Sequence, residues 1–309
     1  MKKITLAPYW VRVRPAFGRE YENLGSFRTD LDLCDVLAED LATLQSNAAD
    51  HKESQHVLEI SEFARTRRQI EGIVSVGEYG LETTIMDVKA WKVALKKKKH
   101  HADMMPFYFL FDLPEGHDKG VLLLQRTGIY GAYGTLTKAL GSRLQTRIAD
   151  YRLIINPIIP EGALEQYVGK NAKMAEIRFI RHSLTSDISN HLSGQHRQQQ
   201  GHMELIVRLA ESNQFPFQNQ IRRYIDGKRS LQNIIELEET RFAYDNVKIK
   251  MKVNGTPRMV DLGHPERLRF AYDVSDQVVE AATGHPTFES MSEAAHAILE
   301  ELDVPNGQA

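Results

Sequence analysis

The sequence predicts an α+β protein: a mixed, mostly antiparallel sheet with flanking helices, and a second, smaller α+β region at the C-terminus. Two solid apolar runs, residues 107–111 and 121–124, are each bounded by turn residues, as is typical of central strands buried on both faces. Strand and helix patterns mix along the chain without the regular alternation of a parallel α/β fold. A hydrophobic fraction of 42% is enough for a real core.

The first elements follow from hydrophobic periodicity. Residues 4–13 read as a strand. Thr29 and Asp32 loosely match a capping box, and the helix that they open places its leucines on one stripe. Residues 57–63 alternate apolar and polar side chains, with one slip of register, and are predicted as a strand.

Residues 70–76 and 81–88 flank Gly77-Glu78-Tyr79-Gly80, which predicts a hairpin between the two segments. The last helix is predicted to begin at Ser290, with Glu293 three residues on as in a capping box. The same rules predict helices at 135–148, 163–168 and 219–225, strands at 151–159, 174–180 and 203–209, and a hairpin of 247–253 with 258–262 around Asn254-Gly255.

A polar segment at 185–201, rich in Gln, His and Ser, is predicted as a linker or mobile loop. It divides the chain into an N-terminal α+β domain, 1–184, and a C-terminal α+β domain, 202–309, with an acidic terminal helix. Cys34 is the only cysteine and lies on the core face of the first predicted helix, so we expect a buried thiol in a reducing compartment. No signal peptide or membrane span is evident, which predicts a cytoplasmic protein.

Charge is distributed unevenly although the net charge is only -2. Residues 27–62 and 275–309 are strongly acidic, whereas residues 63–274 carry 32 basic and 23 acidic side chains. Binding follows the local field and not the whole-chain sum, so the basic middle of the chain favours a polyanion as partner. A solvated surface with charges that merely drift along it is the alternative.

Three basic clusters are candidate phosphate contacts, because ammonium and guanidinium groups neutralise backbone charge and release counterions. A lysine run could equally be a solvated loop, and a lysine ladder could protect an edge strand from unwanted pairing. The clusters are the run Lys96, Lys97, Lys98 and Lys99; the helix and turn with Arg222, Arg223, Lys228 and Arg229; and the alternating Lys248, Lys250 and Lys252.

A nuclease is the alternative enzymatic hypothesis. If the hairpin turns at Glu78-Tyr79, Glu71 would fall near the acid-x-Lys triplet of Asp87 and Lys89, as in divalent-metal nucleases of the PD-(D/E)xK type. The carboxylates would hold Mg²⁺ and the lysine would orient water. The leading Pro-Asp of that motif is absent. Outside this hypothesis the sequence indicates neither a catalytic residue nor a metal site nor a cofactor.

The order of elements around Phe107 resembles the RexA-type phage-exclusion proteins. The features in common are the apolar strand at 107–111, an acid-Gly turn at Glu115-Gly116, a second strand that ends in Arg126, a Gly/Tyr turn, and a helix bearing Leu136, Leu140 and Leu144. An isoleucine-rich strand (Ile154, Ile155, Ile158) follows, and Glu176 to Arg181 with Asp187-Ile188 continues the pattern. The likeness covers about a quarter of the chain, leaves the residues before Phe107 unassigned and carries over no catalytic residue.

The resemblance implies a cytoplasmic homodimer that binds DNA with little sequence preference and acts in antiphage defence alongside a separate membrane-protein partner. Together with the basic clusters, it leads us to expect a non-enzymatic DNA-binding protein. An adaptor or sensor whose acidic C-terminal helix docks a protein partner is a further alternative.

Overall fold

The computed structural model describes residues 2–158, 173–185, 188–189, 201–208, 218–225, 231, 242–253, 256–263 and 270–302. The chain forms an α+β protein with two compact units, the first built from Met1–Ile158 with Phe270–Ala309 and the second from Ile159–Arg269. The predicted division at 185–201 therefore needs correction. That segment falls inside the second unit, because strands on both of its sides pair in one sheet, and the terminal helix belongs to the first unit.

The first unit is built on a nine-stranded sheet in which every pairing is antiparallel. Its strands are β1 (Ile4–Pro15), β2 (Ala49–His51), β3 (His56–Thr66), β4 (Gln69–Glu78), β7 (Asp103–Asp112), β8 (Gly120–Thr127), β9 (Tyr130–Gly131), β10 (Tyr151–Pro157) and β15 (Tyr272–Asp273). Across the sheet they follow the order β10-β1-β8-β7-β4-β3-β2, with β15 beside β1 and β9 beside β8. Two further strands, β5 (Thr83–Asp87) and β6 (Lys92–Lys97), form a separate two-stranded sheet.

Among the described residues, three helices cover this sheet: α1 (Leu33–Ser46), α2 (Tyr133–Arg147) and α4 (Phe288–Glu301). Helices α1 and α2 share one core cluster with Phe107, Phe109 and Phe111, whereas α4 shares another with Tyr108 and Leu110. Because successive side chains of a strand point to opposite faces, β7 is buried on both sides. The prediction that 107–111 and 121–124 are central strands is confirmed, and within the described residues no helix is long and apolar enough to cross a membrane.

The predicted hairpin of 70–76 with 81–88 is wrong. Strand β4 pairs with β3 and β7, and the segment after it turns away to pair with β6. Gly77 is a strand residue opposite Met104, where an added Cβ would meet Met104 Sδ at 2.6 Å. Of the two glycines Gly77 and Gly80, only Gly80 has a positive φ, of +101°, as a turn requires. One of the two glycines therefore lies in a strand, and the chain bends after it.

Both helix starts differ from the predicted capping boxes by a few residues. Helix α1 begins at Leu33, and the Asp32 side chain caps it by accepting from the Cys34 amide at 2.7 Å. Helix α4 begins at Phe288, two residues earlier than predicted, and its cap is Thr287. The Thr287 hydroxyl oxygen accepts from the Ser290 amide, so Ser290 occupies the third helical position and not the cap. Cys34 is buried, as predicted.

The second unit contains a four-stranded antiparallel sheet in the order β12-β11-β13-β14. Its described elements are β11 (Lys173–Arg181), β12 (Met203–Arg208), a helix α3 (Gln218–Ile225), β13 (Asn246–Val253) and β14 (Thr256–Asp261). The predicted hairpin of 247–253 with 258–262 is confirmed by the pairing of β13 with β14. Val247 and Ile249 on β13 are fully buried, and so is Ile221 on α3.

Candidate nucleic-acid interface

The two-stranded sheet of β5 and β6, with its flanking turns, forms a basic ribbon, defined here as residues 81–101. A lone two-stranded hairpin is at best marginally stable in water. Ile85 pairs with Leu95 and Met86 pairs with Val93, which puts apolar side chains on both faces of the ribbon. Trp91 in the turn is 79% exposed and has a left-handed φ of +51°. The apolar side chains of Ile85, Met86, Val93 and Leu95 are 43%, 44%, 48% and 51% exposed, so each is about half open to solvent.

The prediction that all four lysines of the run 96–99 contact phosphates needs correction, because one of the four is buried. Lys96, Lys98 and Lys99 are exposed, whereas Lys97 is only 6% exposed. The Lys97 ammonium donates to Asp103 Oδ2 at 2.7 Å and to the Glu78 carbonyl at 3.0 Å. Lys97 therefore fastens the base of the ribbon where β4 ends and β7 begins, and its charge is already neutralised within the protein.

Backbone hydrogen bonds complete this base. The Gly80 amide donates to the Lys99 carbonyl at 2.7 Å, and the His101 amide donates to the Lys98 carbonyl at 2.9 Å. The turn at the far end is held by Asp87, whose Oδ1 accepts from the amides of Lys89 and Ala90. The ribbon thus presents five exposed lysines that form no ion pair among the described residues: Lys89, Lys92, Lys96, Lys98 and Lys99.

The lysine ladder of β13 lies on an interior strand, because β11 and β14 pair on its two sides. The interpretation of this ladder as protection of an edge strand is therefore wrong. Lys248 approaches Asp261 Oδ2 at 3.6 Å, and Lys250 is exposed. The side chain of Lys252 lies outside the described residues.

Lys248 and Lys250 share one face of the four-stranded sheet with acidic and basic side chains of β11 and β12. Glu176 is 4% exposed and accepts from Arg178 Nε at 2.5 Å and Arg208 Nε at 2.8 Å. These two guanidinium groups hold the pKa of the Glu176 carboxyl below its usual range. Arg178 also approaches Glu204, at 3.7 Å. The face is a mixed network of ion pairs, and its exposed cations among the described side chains include Arg208 and Lys250.

Helix α3 has the predicted amphipathic arrangement where it is described. Ile221 is fully buried, Arg223 is exposed, and the Tyr224 hydroxyl donates to the Leu262 carbonyl at 2.8 Å. The side chain of Arg222 and the whole of Lys228 and Arg229 lie outside the described residues. Arg223 is therefore the described cation of this cluster.

The nuclease hypothesis required Glu71, Asp87 and Lys89 to meet across a hairpin, and this pairing is absent. Glu71 lies on β4 opposite Ala64 and Leu110, whereas Asp87 pairs with Lys92 at the far end of the basic ribbon. Within the described ranges, no three His, Cys, Asp or Glu side chains are grouped as a metal site would require. Glu71 belongs to the nine-stranded sheet, whereas Asp87 and Lys89 belong to the basic ribbon.

Glu71 instead joins the sheet to helix α4. Its Oε2 accepts from the Tyr108 hydroxyl at 2.6 Å and from the Ser292 hydroxyl at 2.8 Å. Burial, with the hydrogen bond to Glu71 as a second cause, raises the pKa of Tyr108. On the same helix, His296 Nδ1 bonds the Ser292 carbonyl at 2.8 Å. The carboxylate that the nuclease hypothesis used is occupied by a hydrogen-bond network inside the first unit.

This network ends at Asp112, which is 7% exposed and accepts from Gln69 Nε2 at 3.1 Å. Burial raises the pKa of the Asp112 carboxyl, although Gln69, His296 and Arg68 oppose that shift. A carboxyl whose folded-state pKa is raised stabilises the fold below its unfolded pKa and loses that contribution as pH rises through the folded value. The charged form is therefore a net cost at neutral pH.

We accordingly expect Asp112→Asn to raise the urea midpoint at pH 8, because the substitution removes a buried charge and keeps an oxygen that can accept from Gln69. Below about pH 3 the gain should disappear, because Asp112 of the wild type is then largely protonated in both the folded and the unfolded state. Asp118→Asn, at an exposed aspartate nearby, is the matched control. Equal destabilisation by Asp112→Asn at both pH values would contradict this expectation.

A second basic feature was not recognised from the sequence. Trp10 and Arg12 alternate along β1, and Arg12 Cζ lies 5.8 Å from the Trp10 ring centroid and 4.7 Å from that of Tyr21. Lys119 Nζ lies 4.8 Å from the Trp10 centroid. The period-two spacing of Trp10, Arg12 and Arg14 within a predicted strand was the available signal. Tyr21 and Lys119 come from separate loops, which no local pattern could add.

The chain was compared with models of known protein families and with curated protein sequences. No model of a known protein family matches the chain, and no curated protein sequence is significantly similar to it.

Proposed function

We propose that this protein is a non-enzymatic DNA-binding protein whose basic ribbon contacts the phosphate backbone of duplex DNA with little sequence preference. The observation that carries the proposal is the ribbon itself: five exposed lysines that form no ion pair among the described residues, together with a Trp91 that is 79% exposed. A two-stranded ribbon fits the major groove of B-DNA, and basic ribbons with apolar tips also occupy minor grooves.

The lysines suit backbone contact better than base reading. An ammonium on a flexible stem is a point charge without the bidentate geometry that arginine offers to a guanine. The apolar side chains Val88 and Leu81, which are 76% and 68% exposed, add surface that is otherwise unfavourable in water. Contact with sugars and base edges would bury that surface. The proposal thus accounts for both the charge and the apolar exposure of the same segment.

The resemblance to RexA-type phage-exclusion proteins extends this proposal to a biological role. In that reading the protein acts as a cytoplasmic homodimer in a bacterial antiphage system, alongside a membrane-protein partner. The single thiol of Cys34 agrees with a reducing compartment. These further elements rest on the resemblance, whereas DNA contact by the ribbon rests on the ribbon's own side chains.

Titration of a fluorescently labelled duplex with the full chain at a series of salt concentrations tests the proposal. Five phosphate contacts predict that log K falls with log salt with a slope of about -4.5. Two duplexes of unrelated sequence should bind with similar affinity. No binding at the lowest salt, or a slope near zero, would refute the proposal. Cleavage of the duplex when Mg²⁺ is added would refute its non-enzymatic part.

A further inference from the structure

We infer that the first unit carries a second anion site, separate from the basic ribbon, in which Arg12, Arg14 and Lys119 bind a phosphate group. Trp10 and Tyr21 position two of these cations. The residues lie at the end of β1 and in the loops beside it. The inference goes beyond the proposed function, because it does not depend on the ribbon and applies equally to a phosphate in a polynucleotide or in a small molecule.

The face of β1 on which these side chains lie follows from strand alternation. Val11 and Val13 are fully buried in the core cluster under α1 and α2. Residues of the other parity point to the opposite side of the sheet, where Ile4 and Leu6 pack under α4. Trp10 packs at the margin of that cluster, and Arg12 and Arg14 continue the row beyond it. The row therefore passes from covered apolar residues to partly exposed cations.

The cations in this row have aromatic neighbours where carboxylates would be usual. Arg12 Cζ lies 4.7 Å from the Tyr21 ring centroid, and Lys119 Nζ lies 4.8 Å from the Trp10 ring centroid. Neither cation, nor Arg14, forms an ion pair with a carboxylate in the part of the chain that the structure describes. Ring faces attract a cation without neutralising its charge. The charges of these three cations are therefore not neutralised by an ion pair among the described residues.

Arg12 also has an unsatisfied donor. Its Nε is buried and has no hydrogen-bond partner among the residues that the structure describes, and the whole side chain is only partly exposed. Arg14 Nη1, in contrast, donates to the Gly18 carbonyl. A buried polar atom of a charged group without a partner is uncommon in folded proteins. A phosphate oxygen is a suitable acceptor for the partly exposed guanidinium as a whole, since guanidinium groups bind phosphates through short, charge-assisted hydrogen bonds.

The site and the basic ribbon lie at opposite ends of the sheet. Glu78 pairs with Asp103 at the base of the ribbon, whereas Asp112 pairs with Val121 next to Trp10 on β1. Asp103 and Asp112 are the two ends of β7, and at the rise of an antiparallel strand they lie about 30 Å apart. The two tryptophans of the chain therefore report separately, Trp91 from the ribbon and Trp10 from the anion site.

Tryptophan fluorescence of the Trp91→Phe variant tests the inference, because Trp10 is then the only tryptophan. Sodium tripolyphosphate and a short single-stranded oligonucleotide serve as probes, each at ionic strength held constant with NaCl. We expect a saturable change in Trp10 emission with at least one probe. A response to tripolyphosphate assigns the site to free phosphate chains as well, and a response to the oligonucleotide alone assigns it to polynucleotides.

Arg12→Gln should lower the affinity for the probe that gives a response by about tenfold or more, because it removes one charge-assisted contact. Lys119→Gln, at a loop position, provides a second variant if Arg12→Gln does not fold. Lys138→Gln, exposed on α2 under the opposite face of the sheet, is the control and should change nothing. No saturable response, or equal responses from the wild-type, Arg12 and Lys119 forms, would overturn the inference.

The matched Trp10→Phe variant keeps the outcome separate from that of the proposed function. A response of Trp91 to duplex DNA, with Trp10 silent towards tripolyphosphate and the oligonucleotide, would support DNA contact by the ribbon and overturn the anion site. A response of Trp10 with a silent Trp91 would support the anion site and count against the ribbon.

Discussion

Replacing Lys96, Lys98 and Lys99 together by glutamine is expected to weaken duplex binding by roughly 10²-fold to 10³-fold at 0.1 M salt. Each exposed lysine that contacts a phosphate contributes about 0.9 to the salt slope, so the slope should fall by about 2.7. Lys97 must be left intact, because its ammonium is bonded to Asp103 and Glu78 at the ribbon base. Removing it would confuse lost binding with a displaced ribbon.

The control for this triple variant is a second triple with the same change in net charge. Lys2, Arg67 and Lys138 are exposed and lie outside the ribbon, and we expect their replacement by glutamine to change the slope by less than one contact. Fluorescence anisotropy over 50 mM to 200 mM salt measures both proteins. If the two triples weaken binding equally, only the net charge matters and the ribbon is not the contact surface.

Ending the chain after Pro286 is expected to unfold the first unit. Helix α4 then no longer covers the face with Tyr108 and Leu110, and the buried Met291, Ile298 and Leu299 are lost. Burial of three such side chains contributes about 5–9 kcal/mol, which is comparable with the whole stability of a typical domain. Glu71 also loses the Ser292 hydroxyl. We expect an insoluble protein, or one without a cooperative urea transition.

A milder variant tests the same point in a protein that still folds. Ile298→Ala should lower the free energy of unfolding by about 2–5 kcal/mol, as in other buried positions. Glu293→Ala, on the exposed side of the same helix, should change it by less than about 0.5 kcal/mol. A truncated chain with a wild-type urea midpoint would show that α4 is dispensable for the sheet.

The same result restricts the adaptor hypothesis. The apolar face of α4 is occupied by the core of its own unit, so a partner protein could reach only the outer face with Glu289, Glu293 and Glu300. Removing the helix would destroy the unit and could not separate loss of a partner from loss of the fold. Replacing those three exposed glutamates leaves the core intact and is the informative experiment.

The central strands were predictable because an unbroken apolar run has one explanation at short length: burial on both faces. The slip of register within 57–63 also had structural meaning, since β3 has a bulge between Ile60 and Glu62. The hairpin was mispredicted because Gly77 and Gly80 look alike in sequence. Gly77 is confined by close approach of the Asp103 backbone, whereas Gly80 needs its positive φ. Which role a glycine has depends on a partner strand.

The candidate sites show the same limit. The sequence around the four consecutive lysines does not show which of them is buried. Lys97 differs from the others because the fold brings Asp103 and the Glu78 carbonyl to its ammonium group. Lys248 and Lys250 lie on one strand face as predicted, but other strands decide whether their charges are available: Lys248 approaches Asp261 of β14, whereas Lys250 is exposed. Periodicity places a side chain on a face, and the neighbours on that face decide whether its charge is available.

The sheet of the first unit takes its last strand and its last helix from residues that the ribosome makes after the second unit. Strand β15 pairs with β1, and α4 covers residues of β1, β7 and β8. During synthesis the second unit can thus leave the exit tunnel while one side of the earlier sheet still lies bare to solvent. Nascent chains stalled before residue 270 should therefore bind chaperones that recognise exposed apolar strands, and release should coincide with the emergence of α4.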